Sequence, residues 1–245
     1  APVVGDVKEA LKLMLPLVKT NDYTAWKNEF RKLEPREKEF VTDRDFKFEG
    51  QIKMAEVVKM VSDKTKGEAC IVVDVGQHQM VSARYYEFKK CHSYIASGGL
   101  GTMGFAIPAS LGAKMGAPDR QVIAFIGDGC FQMTIQELGT ISQTGQEVKL
   151  IILNNNYLGM VRQWQQLFFE KRYSFVELHN PDFIMVAKGF GIEGKKVSER
   201  ANLNDAIDEM LNHKGSYVLE VVVEKEENVF PMVPAGKSVS DIRLH

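Results

Sequence analysis

Two apolar runs, Val122-Ile-Ala-Phe-Ile126 and Val148-Lys-Leu-Ile-Ile-Leu153, constrain the fold of this chain most. Each is short, dominated by branched apolar residues and ended abruptly by turn-forming polar residues. Runs without polar–apolar alternation read as strands buried on both faces, the pattern of a parallel sheet covered by helices. The first ends in Gly127-Asp128-Gly129, the second in Asn154-Asn155. On neighbouring strands, a carboxylate and a carboxamide would stand together at the carboxyl ends, the edge where open α/β sheets bind ligands. Asp128 and Asn155 offer hard oxygens, which suit Mg²⁺ or Ca²⁺ rather than zinc. The glycines beside Asp128, with Gly159, permit close backbone approach, and a metal-bound diphosphate is the simplest ligand meeting both conditions. The alternative for the same residues is an Asp cap on a following helix and ordinary Asn turns.

The remaining pattern is consistent with that sheet. The spacing predicts helix 6–19 with an Asp6 cap, a charged helix 22–39 with Trp26, Phe30 and Leu33 on one face, and a loop near 40–49. Helix 51–63, strand 70–75, helix 77–88, strand 93–96 and helix 104–115 follow, then strand 121–126, helix 131–144 and strand 148–153. Helices 157–169 and 181–190, strand 195–198, helix 203–213 and strand 217–223 complete the order. Alternation of this kind defines an α/β chain: three layers, α/β/α, around a mostly parallel sheet of about six strands. The expected divisions are 1–44 as the end of a preceding domain with a linker helix, 45–224 as the ligand-binding domain, and 225–245 as an arm or lid. Ala1-Pro-Val-Val-Gly-Asp6 reads as a strand end leading into a helix, and the missing initiator Met fits a piece of something longer.

Composition narrows the classes. With 31 Lys and Arg against 32 Asp and Glu in 245 residues, nothing points to nucleic acid or an anionic membrane. No apolar run approaches the roughly 20 residues of a membrane span. Cys70, Cys91 and Cys130 are odd in number and without a C-x-x-C pair, so a reducing, cytoplasmic setting is expected. Gly99-Leu-Gly-Thr-Met-Gly104 matches the dinucleotide fingerprint, with Asp128 roughly where a ribose-binding acid would fall. A nicotinamide-binding oxidoreductase is therefore a rival reading, weakened by a short polar preceding strand and by an Asn-Asn pair with no role in it. Met160, Trp164 and Phe168 fall at i, i+4 and i+8 and share one helix face, a core stripe or an active-site wall.

The motifs extend beyond these pairs, through Gly76-Gln-His-Gln79, Ser97-Gly-Gly-Leu-Gly-Thr-Met-Gly104 and Phe131-Gln-Met-Thr134. They continue through Gly159-Met-Val-Arg-Gln-Trp-Gln165, Arg172-Tyr-Ser174, Asn180-Pro-Asp-Phe183 and Pro231-Met-Val233. This set resembles the carboxyl-terminal, thiamine diphosphate-binding domain of the acetohydroxyacid (acetolactate) synthase large subunits, over residues 45–236; residues 1–19 resemble the end of their middle domain. The resemblance implies that Asp128, Asn155 and the Tyr157 carbonyl hold Mg²⁺. It places Val75, Gly76, Gln77 and His78, then Gly127, Gly129 and Cys130, then Leu158 and Gly159, around the diphosphate. Gly101 and Met103 would meet the aminopyrimidine and thiazolium, Met103 as the wedge that bends the cofactor, with Met160 and Val161 also lining its site. Met160, Trp164 and Phe168 would face substrate, Trp164 favouring 2-ketobutyrate over pyruvate as acceptor.

The implied reaction decarboxylates pyruvate and joins the remaining two carbons to a second 2-oxo acid, in branched-chain amino acid biosynthesis. It also implies FAD, mainly on the middle domain, a homodimer or tetramer, and a regulatory small subunit. The activating glutamate belongs to an amino-terminal domain with no matching segment here, so this chain alone is expected to be inactive. Tyr157 departs from relatives with a carboxylate there, and Cys130 from those with Ser or Ala. A pyruvate oxidase or glyoxylate carboligase type of thiamine enzyme would share the metal site.

Overall fold

A computed structural model describes residues 2–244. The apolar runs become strands because both of their faces are covered. In chain order, α1 (Val7–Met14), α2 (Thr24–Arg31), α3 (Glu34–Glu37) and α4 (Asp43–Asp45) precede α5 (Met54–Lys64) and β1 (Cys70–Val73). Then come α6 (Gln77–Tyr85), β2 (Tyr94–Ala96), α7 (Ala106–Gly116), β3 (Val122–Gly127), α8 (Asp128–Met133) and α9 (Glu137–Thr144). The chain continues through β4 (Lys149–Asn154), α10 (Gly159–Phe168), α11 (Phe183–Gly189), β5 (Glu193–Val197), α12 (Leu203–Asn212) and β6 (Tyr217–Val222).

The six strands form one sheet in the order β2-β1-β3-β4-β6-β5, all parallel. One face packs under α5, α6 and α12 through Val57, Val61, Val81, Leu203 and Ile207. The other packs under α7, α9 and α11 through Ile107, Leu111, Leu138, Ile141 and Phe183. The three-layer expectation holds, with every strand rather than most of them parallel. β3 and β4 are direct neighbours, Gly127 opposite Leu153, so the two turn motifs leave the sheet side by side. The edges are short or charged: β2 has three residues, and β5 reads Glu-Gly-Lys-Lys-Val.

The structure corrects several element boundaries. Asp6 caps α1, its carboxylate accepting from the Glu9 amide at 3.1 Å. No strand precedes it among the described residues, and Ala1 lies outside them. The expected helix 22–39 breaks after Arg31, and part of the expected loop 40–49 is helical, running through a π turn at Lys38–Thr42 into α4. Docking explains the second change: Val41 is buried, and Asp45 accepts from the Tyr85 hydroxyl of α6. The expected helix 131–144 is two helices, the first starting three residues earlier, at Asp128. Residues 134–136 separate them, Thr134 turning its hydroxyl to the Gly104 carbonyl at 2.8 Å. Beyond β6 the chain has no strand or α-helix among the described residues, as its lack of periodicity predicts, and Met232 and Arg243 pair in an isolated bridge.

Candidate functional site

Sheet order reverses at β1, since β2 lies on one side of it and β3 on the other. Such a switch point opens a crevice beyond the strands' carboxyl ends. Here it is a cleft of about 420 Å³. The turn after β1 contributes Val75, Gly76, Gln77 and His78, and the turn after β3 contributes Gly127, Asp128, Gly129 and Cys130. Asn155, Tyr157, Leu158, Gly159, Met160 and Val161 come from the turn after β4 and the start of α10, and Met103 from the turn before α7. Met54 and Leu153 also line it, neither of which the sequence singled out. Gly101 does not; it is exposed beside Val75, where an added Cβ would lie 3.7 Å from Val75 Cγ1.

Asp128 opens α8, with Gly127 as its extended N-cap. Its carboxylate is 1% exposed, and burial pushes its pKa up to about 6 against the hydrogen bond that Asn180 Nδ2 donates at 2.7 Å. A carboxylate so desolvated, with no charged partner among the described residues, is the form that a cation would relieve. Asn155 Oδ1 accepts from the Tyr157 amide at 3.2 Å, and its Nδ2 donates to Gln77 Oε1 at 3.4 Å. No cluster of three His, Cys, Asp or Glu side chains stands together among the described residues. A cation here would depend on Asp128, carboxamide and main-chain oxygens, and on a ligand's own oxygens.

The shape of the wall tests a bulky anion independently. A Cβ on Gly159 would lie 2.2 Å from Gln77 Oε1, one on Gly127 2.9 Å from His78 Cε1, and one on Gly129 2.9 Å from Leu158 Cδ2. These glycines keep the main chain exposed to the cleft where any side chain would collide. His78 is buried, its Nε2 has no partner among the described residues, and burial pushes its pKa down to about 4 despite the neighbouring Asp74. An unpaired buried nitrogen on a cleft wall is a donor or acceptor waiting for a ligand. The residues present fit a metal-bound diphosphate.

The other glycine-rich turn is different. Asp74, fully buried at the end of β1, accepts from its neighbour Val75 N at 2.9 Å, from Gly104 N at 2.9 Å and from Ala106 N at 2.8 Å. Two of the amides that a pyrophosphate would draw on, those of Gly104 and of Ala106 at the start of α7, are thus occupied by a carboxylate of the chain itself. β2, the strand before it, is also an edge strand. Both facts weigh against the dinucleotide reading. Asp74 and Asn180 are organising residues that the sequence did not assign; their roles depend on loops brought together from 30 and 52 residues away.

Met160 reaches the cleft, whereas Trp164 and Phe168 lie outside its lining, further along α10. Their rings meet at 5.1 Å, tilted by 53°, and the Arg243 guanidinium covers Phe168 at 5.0 Å. The opposite face of α10 is buried: Arg162 Nη2 donates to the Glu226 carbonyl and Asn228, and Gln163 Nε2 to the Val229 carbonyl. Gln77 Nε2 reaches both Gln163 Oε1 and the Glu227 carbonyl. The carboxyl-terminal segment is thereby fastened to two walls of the cleft.

A doubly wound parallel sheet with a glycine-walled, carboxylate-bearing cleft at its switch point defines an α/β protein that binds a phosphorylated cofactor. Comparison with known families narrows this: residues 74–221 match the family described as thiamine pyrophosphate enzyme, C-terminal TPP binding domain, and the chain belongs to it. It is 44% identical over 187 residues to the acetolactate synthase isozyme 2 large subunit of Escherichia coli K12, covering 76% of this chain and 34% of that protein. It is 40% identical over 240 residues to the acetolactate synthase large subunit of Lactococcus lactis, covering 96% of this chain and 40% of that protein. The chloroplastic acetolactate synthase 1 of Oryza sativa is 37% identical over 256 residues, covering 99% of this chain and 39% of that protein. The chain thus spans well under half the length of these relatives. No helix among the described residues is long and apolar enough to cross a membrane.

Proposed function

We propose that this chain is the thiamine diphosphate-binding portion of an acetolactate synthase large subunit, acting on pyruvate and a second 2-oxo acid, pyruvate or 2-ketobutyrate. The observation that carries the reading is the meeting of Asp128 and Asn155 in one glycine-walled cleft at neighbouring strand ends. Asp128, Asn155 and the Tyr157 carbonyl would hold Mg²⁺. Gly76, Gln77 and His78, Gly127 to Cys130, and Leu158 and Gly159 would surround the diphosphate. Bound thiamine diphosphate supplies the electron sink that lets a 2-oxo acid lose carbon dioxide and add to a second carbonyl.

The chain's own residues bind and orient. His78 presents an unpaired ring nitrogen to the anion, and Met103 presents a flexible apolar side chain on which a ring can rest. Leu158, Met160 and Val161 keep that side of the cleft apolar and exclude water. Trp164 and Phe168 extend the wall toward solvent, where an acceptor substrate would approach. The glutamate that activates the cofactor, FAD, the dimer or tetramer interface and a regulatory small subunit belong to the larger assembly proposed from the relatives.

Calorimetry tests the reading. The chain should take up thiamine diphosphate with Mg²⁺ but not NAD(H), Asp128→Ala should abolish the uptake, and the chain alone should form no acetolactate. Binding of NAD(H) instead would overturn it. A pyruvate oxidase or glyoxylate carboligase type of enzyme would share the metal site; an unchanged acceptor preference after Trp164→Leu in the full-length enzyme would favour those.

A further inference from the structure

Behind Asp128 runs a chain of carboxamides whose donor and acceptor ends are set in sequence. It begins at Glu220 of β6, 1% exposed, whose Oε1 takes the Lys196 ammonium at 2.8 Å. An ionised carboxylate accepts only, so it must face the amino end of Asn154, and Asn154 Nδ2 donates to it at 2.8 Å. Asn154 Oδ1 then points the other way, accepting from the Asn156 amide at 3.0 Å and from Asn180 Nδ2 at 3.1 Å. Asn180 is held in the same sense from its other end, because its Oδ1 accepts from Gln132 Nε2 at 2.7 Å. The end of the series is therefore a donor: the two hydrogens of Asn180 Nδ2 are shared among Asn154 Oδ1, Asn156 Oδ1 at 2.9 Å and, closest, Asp128 Oδ2 at 2.7 Å.

Local backbone makes the arrangement possible. Asn156 has a left-handed φ of +57°, which turns the chain so that Asn154 and Asn156 face Asn180 while Asn155 between them lines the cleft. The loop carrying Asn180 is tied to the same turn, Leu158 N donating to the Val176 carbonyl at 2.8 Å and Leu178 N to the Asn156 carbonyl at 2.9 Å. Asn180 thus joins the turn after β3 to the turn after β4, the two that carry the proposed cation ligands.

We propose that Asn180, oriented by Asn154, Glu220 and Gln132, is a positioning residue for the divalent cation: it engages one oxygen of Asp128 and leaves the other for the metal. The inference rests on the cofactor-site reading above. Residues that orient a metal's ligands without touching it typically govern affinity by about 10–100-fold.

The test uses the full chain, titrated with thiamine diphosphate once in excess Mg²⁺ and once in a chelator, with ligand-free melting measured alongside. Asn180→Ala should weaken the Mg²⁺-supported affinity by about 10–100-fold and leave the chelated affinity close to the parent's, while the melting temperature falls somewhat for the hydrogen bonds lost. Gln132→Leu, a surface change that frees Asn180 to flip, should give a smaller loss in the same condition only. Unchanged Mg²⁺-supported affinity in Asn180→Ala would overturn the proposal, and so would an equal loss with and without metal, which marks a merely structural residue. If the parent chain shows no Mg²⁺-dependent binding, the site reading itself fails and this inference falls with it.

Discussion

Asp74 and Asp128 end adjacent strands, are equally buried, and are built for opposite purposes. Asp74 receives three main-chain N–H groups and closes a glycine-rich turn that would otherwise bind an anion. Asp128 receives one close side-chain donor and weaker main-chain contacts from Gly129, Asn156 and its own amide, and burial still outweighs them, pushing its pKa up to about 6. The difference teaches that a buried carboxylate which organises structure is given its donors by the fold. One proposed to serve a ligand, as Asp128 is, keeps a net desolvation cost that a bound cation would offset.

Substitutions can break that contrast. The largest effect expected is from Asp128→Ala, which should lower Mg²⁺-supported thiamine diphosphate affinity by more than the roughly 100-fold upper range for residues behind the ligands, read by calorimetry. Its melting temperature without ligand should hold or rise, because an undercompensated buried carboxylate is removed. Gly159→Ala comes next. The clashing Gln77 oxygen cannot swing away cheaply, because Gln77 Nε2 is pinned to Gln163 at 2.9 Å and to the Glu227 carbonyl at 2.8 Å. Overpacking of this kind costs about 1–3 kcal/mol, so affinity should fall by about tenfold.

Asp74→Asn should act in the opposite column: thermal unfolding should show a loss of about 1–3 kcal/mol from a main-chain donor left facing an amino group, with little change in metal affinity once the chain is folded. If Asp74→Asn lost metal affinity as completely as Asp128→Ala, the contrast would be wrong.

Glu227 sharpens the comparison from between the two extremes. It faces Lys53 at 3.5 Å, with Arg44 and Asp45 nearby, and burial pushes its pKa up to about 7 from 4.5, against the pull of Lys53. Between those values the folded chain holds a proton that the unfolded chain has released, so stability falls as pH rises. The smallest expected effect is a Glu227-dependent part of the pH profile: in Glu227→Gln the melting temperature should fall less between about pH 6, above which Asp128 has titrated, and about pH 7.

Much of this was legible in residue order, and the exceptions have physical causes. β3 and β4 declare themselves because burial on both faces leaves them uninterrupted by polar residues, and the Asp128 and Asn155 placement follows directly. α8 is misread by three residues because Gly-Asp-Gly, which looks like a turn, is instead an N-cap and the first helical turn. Asp74 and Asn180 carry no local signature; an aspartate's donors and an asparagine's orientation are known only when distant loops meet. The helix near 22–39 looked continuous from its charge and its Trp26–Phe30–Leu33 face, yet those side chains find no buried surface among the described residues to hold the helix whole.

The sheet's borders have a consequence of their own. Unpaired strand edges invite other chains to add on, but three residues at one end offer too little main chain to zip against, and lysines at the other make a neighbour's approach costly. Copies of this molecule should therefore resist fibril-like stacking during refolding, and any stable association between them should be made helix to helix.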